Sequence, residues 1–273
     1  MGLIDDIKKD ARGNKTIIQS TEAQKLSGIL NNLFYLPKNI NEETAFVKAV
    51  MTRGTGTQER IGLHASTLTV KDNDFCIRQQ VLSLLYKQLQ GEQLGVGIKR
   101  IFEQGNAIHE KWQRLFIRGG FSSVNQLDVT QYNKKYMISF TPDIICRIPE
   151  FYDDLMIGEI KSVNTFQFQR MSRHPSAWKQ LQWYLYLSKI KKGFVLSEDK
   201  NTQEFKIEIY DFDMNIVTPF IERAEQIKFY YERVLNEHKM VKRPKDAKSS
   251  DCKRCMNCSM KEVCWNGVGE RIE

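Results

Sequence analysis

The stretch LMIGEIKS, residues 155–162, constrains the fold more than any other part of the sequence, because an apolar run ends in charged residues. Successive strand side chains alternate between faces, so Glu159 and Lys161 lie on the same face as Leu155 and Ile157. Apolar residues on both faces favour a central strand covered on both sides. Charged groups at the end of such a strand cost several kcal/mol if they are buried without partners. We therefore expect a partner such as a metal ion or a phosphate.

A second carboxylate lies upstream in TPD, residues 141–143, where Asp143 also precedes an apolar run. The interval FYDD, residues 151–154, predicts a turn, and a hairpin from about 144 to 157 would bring Asp143 beside Glu159. Two carboxylates and an amine suit a hard divalent cation such as Mg²⁺ or Mn²⁺. Lys161 would then orient the water molecule that such a cation activates. A purely structural network of the same three side chains is the alternative.

Hydrophobic periodicity predicts a mixed α/β unit. A helix ends at Gly119-Gly120, and a second helix begins near Pro175. The predicted strands are 124–129, 135–140 with 143–148, 155–160, 194–197 and 205–212, followed by a long helix at 216–238. Flexible or helix-ending stretches are expected at 52–60 and 91–97, and a helix is expected to open near 72–74 with Cys76 in its first turns.

These patterns divide the chain into four segments. They are an N-terminal extension expected to be helical (1–60), a helical segment (61–99), an α/β core (100–240) and a basic linker with a Cys-rich tail (241–273).

The net charge of +8 and the pI of about 9.1 point to a polyanionic partner, although many basic proteins bind none. No apolar run approaches the roughly 18 residues of a membrane span, and the first residues lack the apolar centre of a signal peptide. We expect a soluble cytoplasmic protein, of a bacterium or of a virus's host, with DNA as partner and no membrane.

Basic residues cluster in two places. The segment VKRPKDAKSSDCKR, residues 241–254, holds six Lys or Arg against two Asp and could neutralise phosphates, with a solvated linker as the alternative. Four basic residues bracket the start of the second predicted helix, whose N-terminus could also receive a phosphate: Arg170, Arg173, His174 and Lys179. In that helix Trp178 and Trp183 could stack on bases or belong to the core.

Several motifs together resemble a nuclease signature. Pro142-Asp143 followed by Glu159-x-Lys161 is similar to the signature of the PD-(D/E)XK nuclease superfamily, and the order of helices and strands is similar as well. GNAIHE, residues 105–110, resembles the histidine-bearing helix motif of the RecB-like branch. QLQWY, residues 180–184, resembles the Gln-x-x-x-Tyr motif of that branch.

The resemblance implies a restriction-endonuclease-like fold, in which helices flank a mixed central sheet, with a C-terminal Cys-rich region and an N-terminal extension. The metal ligands that it implies are His109, Asp143, Glu159 and the carbonyl of Ile160. The catalytic residues that it implies are Asp143, Glu159 and Lys161. Gln180 and Tyr184, one helical turn apart, would position the substrate. From the residues alone, His109 could be a satisfied helix histidine and Tyr184 a core residue.

The tail of the chain crowds four of the six cysteines, Cys252, Cys255, Cys258 and Cys264, into its last 22 residues. Closely spaced thiols of this kind could form a local Cys₄ zinc site. The fifth, Cys146, lies in the strand-like run ICRI and is interpreted as a small buried hydrophobe.

Cys255-x₂-Cys258-x₅-Cys264 is also similar to the terminal cysteine triplet of RecB-like iron–sulfur nucleases, among them the CRISPR-associated exonuclease family and the AddB nuclease domain. In those proteins a fourth cysteine precedes the nuclease core. The resemblance therefore implies a four-iron four-sulfur cluster on Cys76, Cys255, Cys258 and Cys264, with Cys252 as a substitute ligand and zinc as the alternative cofactor.

The function that the resemblance implies is a metal-dependent DNA exonuclease acting on single strands or free ends, with 5′-to-3′ polarity. Its setting would be recombination, repair, replication or CRISPR-type DNA processing of a virus or bacterium, with protein partners from such a complex. One alternative is an iron–sulfur or zinc DNA-binding scaffold of a larger helicase–nuclease or integration complex, with little activity of its own. Another is a zinc-stapled interaction module whose carboxylates are structural.

Overall fold

The computed structural model describes residues 20–55, 62–86 and 96–266, together with the backbone of two short strands before residue 20. Most of the expected flexible connection at 52–60 and of the helix-ending stretch at 91–97 lies outside the described residues, as do residues 267–273.

The helices, in chain order, are α1 (Thr21–Asn32), α2 (Ile40–Thr55), α3 (Ile77–Leu85), α4 (Val96–Arg118), α5 (Thr165–Arg170), α6 (Ala177–Ser188), α7 (Met214–Glu237) and α8 (Lys261–Trp265). The strands are β1 (Ile7–Lys9), β2 (Lys15–Ile17), β3 (Leu63–His64), β4 (Gln131–Asn133), β5 (Ile138–Phe140), β6 (Ile144–Ile148), β7 (Tyr152–Val163), β8 (Lys192–Asp199) and β9 (Phe205–Asp211). Of the helices in the described residues, none combines the length and the apolar character needed to cross a membrane.

The chain divides into two compact units, each discontinuous in sequence. Unit 1 comprises Met1–Gln58, Gly97–Val129 and Thr141–Phe212. Unit 2 comprises Glu59–Val96, Thr130–Phe140 and Asp213–Glu273. The division into four segments that the sequence suggests stays a prediction.

In the described residues, unit 1 is built on a four-stranded sheet in the order β6-β7-β8-β9. β7 runs parallel to β8, whereas β6 pairs antiparallel with β7 and β9 pairs antiparallel with β8. The long strand β7 is therefore central, as the apolar residues on both of its faces require.

One face of this sheet packs against α4. Gly158 of β7 permits the packing, because a Cβ there would lie 2.5 Å from the ring of Phe194 in β8. That ring stacks on Phe116 of α4 with centroids 5.8 Å apart. The two N-terminal helices contribute Leu26, Leu30 and Phe46 to the same core.

The opposite face packs against α6. Gly193 of β8 allows close approach, because a Cβ there would lie 2.8 Å from a methyl carbon of Leu181 in α6. α6 ends at Ser188, after which Lys189 adopts a left-handed conformation with φ of 60°. Helices therefore cover both faces of a mixed sheet, and the fold class expected from the sequence is confirmed.

Unit 2 holds a small sheet in the order β3-β5-β4, with β3 parallel and β4 antiparallel to β5. It also contains α3, α7 and α8, of which α3 packs along α7. Arg223 of α7 donates hydrogen bonds to the carbonyls of Leu68 and Val70 and pairs with Asp72. These contacts fasten the segment before α3 to the long helix.

Local structure departs from the expectations at several places. The turn expected at 151–154 lies at 149–151, and Tyr152–Asp154 already belong to β7. The strand expected at 135–140 is a turn up to residue 137, and α2 extends to Thr55, into the connection expected at 52–60. The strand expected at 124–129 is wrong: Val124–Gln126 form a 3₁₀ turn, because the Gln126 side chain accepts a hydrogen bond from the Ser123 backbone at 3.0 Å. Helix α3 begins at Ile77, so Cys76 precedes the helix as its N-cap residue. The short helix α5 was not expected, and its N-cap Asn164 accepts a bond from the Gln167 backbone at 2.9 Å.

Candidate functional site

The two acidic residues expected to form the site lie side by side at one end of β6 and β7. Ile144 pairs with Gly158, so Asp143, just before β6, lies beside Glu159. A carboxylate oxygen of Asp143, Oδ2, accepts a hydrogen bond of 2.7 Å from the Ile160 backbone. The hairpin therefore fixes both the position and the orientation of the first carboxylate.

Helix α4 supplies the histidine. His109 Nδ1 lies 3.3 Å from Asp143 Oδ1. One turn later, Gln113 is almost fully buried and donates from Nε2 to the Asp143 carbonyl at 3.0 Å and to Asp128 Oδ2 at 2.7 Å. Sequence reasoning missed Gln113, although its spacing of four residues from His109 places it on the same helix face. Gln113 holds the backbone at Asp143 against the helix that carries His109.

Lys161 pairs with the second carboxylate. Its Nζ lies 2.5 Å from Glu159 Oε1, and the Glu159 side chain is 1% exposed. The other oxygen, Glu159 Oε2, is buried without a hydrogen-bond partner among the described residues. A buried carboxylate oxygen without a donor is costly, which marks a place where a cation or a proton would be stabilised.

The charges in this pocket are strongly coupled. Burial, and then the Asp143 carboxylate, raise the pKa of Glu159 to about 7, against the opposing effect of Lys161. Burial also acts to raise the pKa of Asp143, but His109 and Lys161 outweigh it and the net pKa is lowered. Near neutral pH the pocket therefore holds one firmly ionised carboxylate and one that is partly protonated.

Both basic groups are stabilised in their charged forms. Burial acts to lower the pKa of Lys161, but the carboxylates of Glu159 and Asp143 outweigh it and the net pKa is raised. The pKa of His109 is likewise lowered by burial and raised more strongly by Asp143, so its net shift is upward. The electrostatic preference of the pocket is thus for positive charge.

Helix α6 brings the expected substrate-positioning pair to this pocket. Gln180 Nε2 donates to the Tyr184 hydroxyl at 2.8 Å. Burial, and then the carboxylates of Glu159 and Asp143, raise the pKa of Tyr184 well above its usual value. The phenol therefore stays neutral and lies within electrostatic range of both acids.

Two further expectations for α6 change. His174 Nδ1 accepts hydrogen bonds from the backbones of Ala177 at 3.1 Å and Ser176 at 3.4 Å, so a side chain already occupies the amides that were expected to receive a phosphate. Trp183 is fully buried in the core and does not stack on bases, whereas Trp178 is half-buried beneath the guanidinium of Arg173.

The donor set of the pocket fits a hard divalent cation in its chemistry. Two carboxylates and an imidazole are the ligand types that Mg²⁺ or Mn²⁺ accept, and Glu159 Oε2 has no competing partner among the described residues. As the side chains stand, no three His, Cys, Asp or Glu residues of the described chain are grouped so that they could hold one ion. Lys161 pairs with the other oxygen of that carboxylate, Glu159 Oε1.

Unit 2 contains a second candidate site, a pocket lined by thiols. Cys76, Cys255, Cys258 and Cys264 line a small cavity of about 20 Å³ that is partly open to solvent. Burial raises the pKa of Cys76 and of Cys258, and each is raised further by the charge of Cys264. The three tail cysteines of the motif and Cys76, the N-cap residue of α3, therefore line the same cavity.

The remaining cysteines lie elsewhere. Cys252 does not line the cavity and is hydrogen-bonded to Cys255. Cys146 is fully buried in the core of unit 1, where burial raises its pKa.

A buried arginine lies against the thiols. Arg78 is 5% exposed; its Nε donates to Cys264 Sγ at 3.3 Å and its Nη1 donates to the Val241 carbonyl at 2.7 Å. No carboxylate among the described residues forms an ion pair with it, in contrast to Arg254, which also lines the cavity and pairs with Asp246 at 2.9 Å. A buried guanidinium without a carboxylate requires another anion, and thiolates are the candidates at hand.

Comparisons with known proteins give fold-level similarities only. No protein-family model and no curated protein sequence matches this chain. Among solved structures, SSO0001 superposes with a TM-score of 0.46 at 17% identity, covering 83% of this chain and 96% of its own. The exonuclease LHK-Exo of Laribacter hongkongensis, in complex with dAMP, gives 0.47 at 15% identity, with coverage of 63% and 88%.

A phage-related exonuclease of Haemophilus somnus gives a TM-score of 0.44 at 14% identity, covering 65% of this chain and 96% of its own. Because these TM-scores lie below 0.5, any assignment of function depends on the residues of the two sites themselves.

Proposed function

We propose that this protein is a metal-dependent deoxyribonuclease that hydrolyses phosphodiester bonds. The observation that carries the proposal is the gathering of His109, Asp143, Glu159 and Lys161 in one pocket, where Glu159 Oε2 is buried without a partner among the described residues. An isolated structural ion pair would not need the imidazole and the second carboxylate, nor leave a carboxylate oxygen unsatisfied.

The proposed metal ligands are His109, Asp143, Glu159 and the carbonyl of Ile160. A bound Mg²⁺ or Mn²⁺ would polarise a phosphoryl oxygen and lower the pKa of a coordinated water. Lys161, once released from Glu159, would hydrogen-bond the attacking water and stabilise the charge that develops on the phosphate. Attack by the water oxygen on phosphorus would break the bond to the 3′ oxygen and leave a 5′-phosphate.

Gln180 and Tyr184 would position the DNA backbone, Gln180 by direct contact and the fully buried Tyr184 by holding the Gln180 side chain. The neutral Tyr184 hydroxyl lies within electrostatic range of both acids, and it accepts a hydrogen bond from Gln180 Nε2. A neutral donor can contact a phosphate oxygen without competing for the cation.

The proposed substrate is DNA with a single-stranded region or a free end, degraded from the end with 5′-to-3′ polarity. The net charge of +8 supports a polyanionic substrate. The proposed setting is recombination, repair, replication or CRISPR-type processing in the cytoplasm of a bacterium or of a virus's host, with protein partners from such a complex.

The proposed cofactor of the thiol pocket is a four-iron four-sulfur cluster on Cys76, Cys255, Cys258 and Cys264. The support for this cluster is that Cys76, remote in sequence, lines the same cavity as the three tail cysteines, as the resemblance to iron–sulfur nucleases implies. The guanidinium of Arg78 would offset part of the negative charge of such a cluster.

The experiment that tests the nuclease is degradation of labelled single- and double-stranded DNA by protein purified without oxygen, with Mg²⁺, Mn²⁺ or EDTA present. We expect activity with either metal and loss of activity in Lys161→Ala. Lys239→Ala is the matched control, because Glu237-His238-Lys239 has the same tripeptide pattern at the exposed end of α7. Full activity of Lys161→Ala would overturn the proposed role of Lys161.

One observation favours a second function. Asp143 is paired with His109 and Glu159 with Lys161, so the acids are partly satisfied within the protein. This suits a DNA-binding scaffold of a larger helicase–nuclease or integration complex, with little activity of its own. Metal-independent DNA binding without cleavage under all the conditions above would support the scaffold.

A further inference from the structure

The loop between α5 and α6 is held in place by β9. Lys206 of β9 donates from Nζ to the Phe168 carbonyl at 2.5 Å and to the Met171 carbonyl at 3.5 Å. Two residues further along β9, Glu208 accepts a hydrogen bond of 2.8 Å from the His174 backbone. Both ends of the loop are therefore fixed to one strand of the sheet, which makes the position of His174 well defined.

The imidazole of His174 is also fixed in orientation and in tautomer. Its Nδ1 accepts hydrogen bonds from the backbones of Ala177 and Ser176, and it thus caps α6, for which the Ser176 side chain makes no capping bond. A neutral imidazole that accepts at Nδ1 carries its proton on Nε2. Nε2 has no hydrogen-bond partner among the described residues, so it is a donor still available to a ligand.

His174 lies on the face of the sheet that carries the candidate site. Glu208 pairs with Val195 of β8, and Val195 pairs with Glu159 of β7. Residues paired across strands share a face, so Glu208 and Glu159 lie in one row, and His174 is anchored at the β9 end of that row. Burial, and then the Lys161 ammonium, lower the pKa of His174 to about 4, which keeps the ring neutral.

We propose that His174 binds the DNA strand, with its Nε2–H donating to a phosphate oxygen next to the scissile phosphate. The inference rests on the proposed nuclease function and adds a substrate contact to it. A neutral N–H donor fits this place because it binds a phosphate oxygen without adding a second cation beside Lys161. The anchoring by Lys206, Glu208 and the start of α6 provides the rigidity that such a contact needs.

The test uses His174→Asn, because the Asn side-chain oxygen lies as many bonds from the backbone as Nδ1 and can accept from the same backbone amides, while the distant Nε2 donor is removed. His174→Ser, whose shorter side chain also lacks that donor, is the second variant. Ser176→Ala is the matched control, since that side chain makes no capping bond. Far-UV circular dichroism and thermal melting of the full-length proteins check that the cap is retained.

The substrates are an unmodified single strand and a set of strands that each carry one neutral methylphosphonate near the cleavage point. Removal of one hydrogen bond to a charged group should raise KM on the unmodified strand about tenfold. When the methylphosphonate replaces the phosphate that His174 contacts, the affinity of the wild type should fall by a similar factor. The two variants already lack the donor, so their affinity for this strand should be little lower than for the unmodified strand. A penalty of the same size on every strand, or none on the unmodified strand, would overturn the proposal.

Binding to the same strands in EDTA separates this inference from the proposed function. A wild-type protein that binds but does not cut with any metal would overturn the nuclease and leave the contact testable through Kd. In that case the position-specific loss in His174→Ser and His174→Asn would still support the contact, and equal Kd values for wild type and variants would overturn it.

Discussion

Asp143 Oδ2 accepts a 2.7 Å hydrogen bond from the backbone of Ile160, the residue between Glu159 and Lys161. One carboxylate is therefore attached to the strand that carries the other acid and the amine. Movement of β7 relative to β6 would break this bond, so the three candidate side chains keep their relative positions as long as the hairpin is intact.

Replacement of Asp143 by Asn should separate the charge of this residue from its structural role. Asn can still accept the hydrogen bond from Ile160, but it removes the negative charge that helps to raise the pKa of Glu159. We expect DNA cleavage to fall about 100-fold or more. We also expect the Glu159 carboxyl to titrate at lower pH, as carbon-13 NMR of labelled glutamate would measure.

Asp154, an exposed residue near the start of β7 and before its buried part, provides the control variant Asp154→Asn. An Asp143→Asn protein with wild-type cleavage, or with an unchanged Glu159 titration, would contradict this account of the pocket.

The raised pKa of Glu159 predicts how stability depends on pH in the presence of EDTA. A carboxyl whose pKa is about 7 in the folded protein, above its usual 4.5, binds its proton more tightly when folded. Its stabilising contribution is therefore complete below about pH 4.5 and is lost as the pH rises through about 7. Relative to Glu159→Gln, the wild type should lose at most about 3 kcal/mol of unfolding free energy across this range.

Urea denaturation of both proteins at closely spaced pH values measures the difference. Parallel pH profiles for wild type and Glu159→Gln would show that Glu159 titrates normally in the folded state. In the cleavage assay, activity should rise through about pH 7, because the proposed metal requires the ionised carboxylate.

The positions of the tail cysteines predict which of them hold a cofactor. Cys255 lines the cavity, whereas Cys252 does not. We expect Cys252→Ser to retain wild-type iron and sulfide after purification without oxygen, and Cys255→Ser to lose both. Metal analysis and the visible absorption spectrum measure the outcome. If the wild type contained one equivalent of zinc per chain and no iron, the cluster would be ruled out and the zinc site supported.

Arg78 should be required for that cofactor to remain bound. Arg78→Met keeps most of the apolar volume but removes the buried positive charge that contacts Cys264. We expect iron to be lost faster on exposure to air than from the wild type, with Arg78→Lys intermediate because it retains the charge but not the planar geometry. Arg233→Met, on the surface of α7 and paired with Glu237, is the control. Equal rates of iron loss in all four proteins would refute this role of Arg78.

The sequence predicts the central part of unit 1 well because local signals decide it. The apolar residues on both faces of β7 require cover on both sides, and the short turn at 149–151 leaves little freedom in how β6 pairs with it. Asp143 and Glu159 are therefore adjacent for reasons that can be read along a short stretch of chain. The same holds for Gln180 and Tyr184, which are one helical turn apart.

What the sequence does not reveal depends on contacts between distant segments. Gln113 is an ordinary polar helix residue until α4 is placed against Asp143, and His174 is one of several basic residues until β9 anchors its loop. The stretch 124–129 resembles a strand because apolar residues stand at both of its ends, but the bond from Ser123 to Gln126 closes a 3₁₀ turn first. Side-chain hydrogen bonds of this kind outweigh periodicity over such short stretches.

The pair formed by Lys161 and Glu159 bears on the order of events in the life of the protein. Because an internal ammonium already neutralises Glu159, one of the most buried acids among the described residues, the folded pocket does not need a divalent ion to offset that charge. Under the proposed nuclease function, ion loading would then be a reversible step that follows folding, so that the newly made protein would stay silent until metal and DNA arrive.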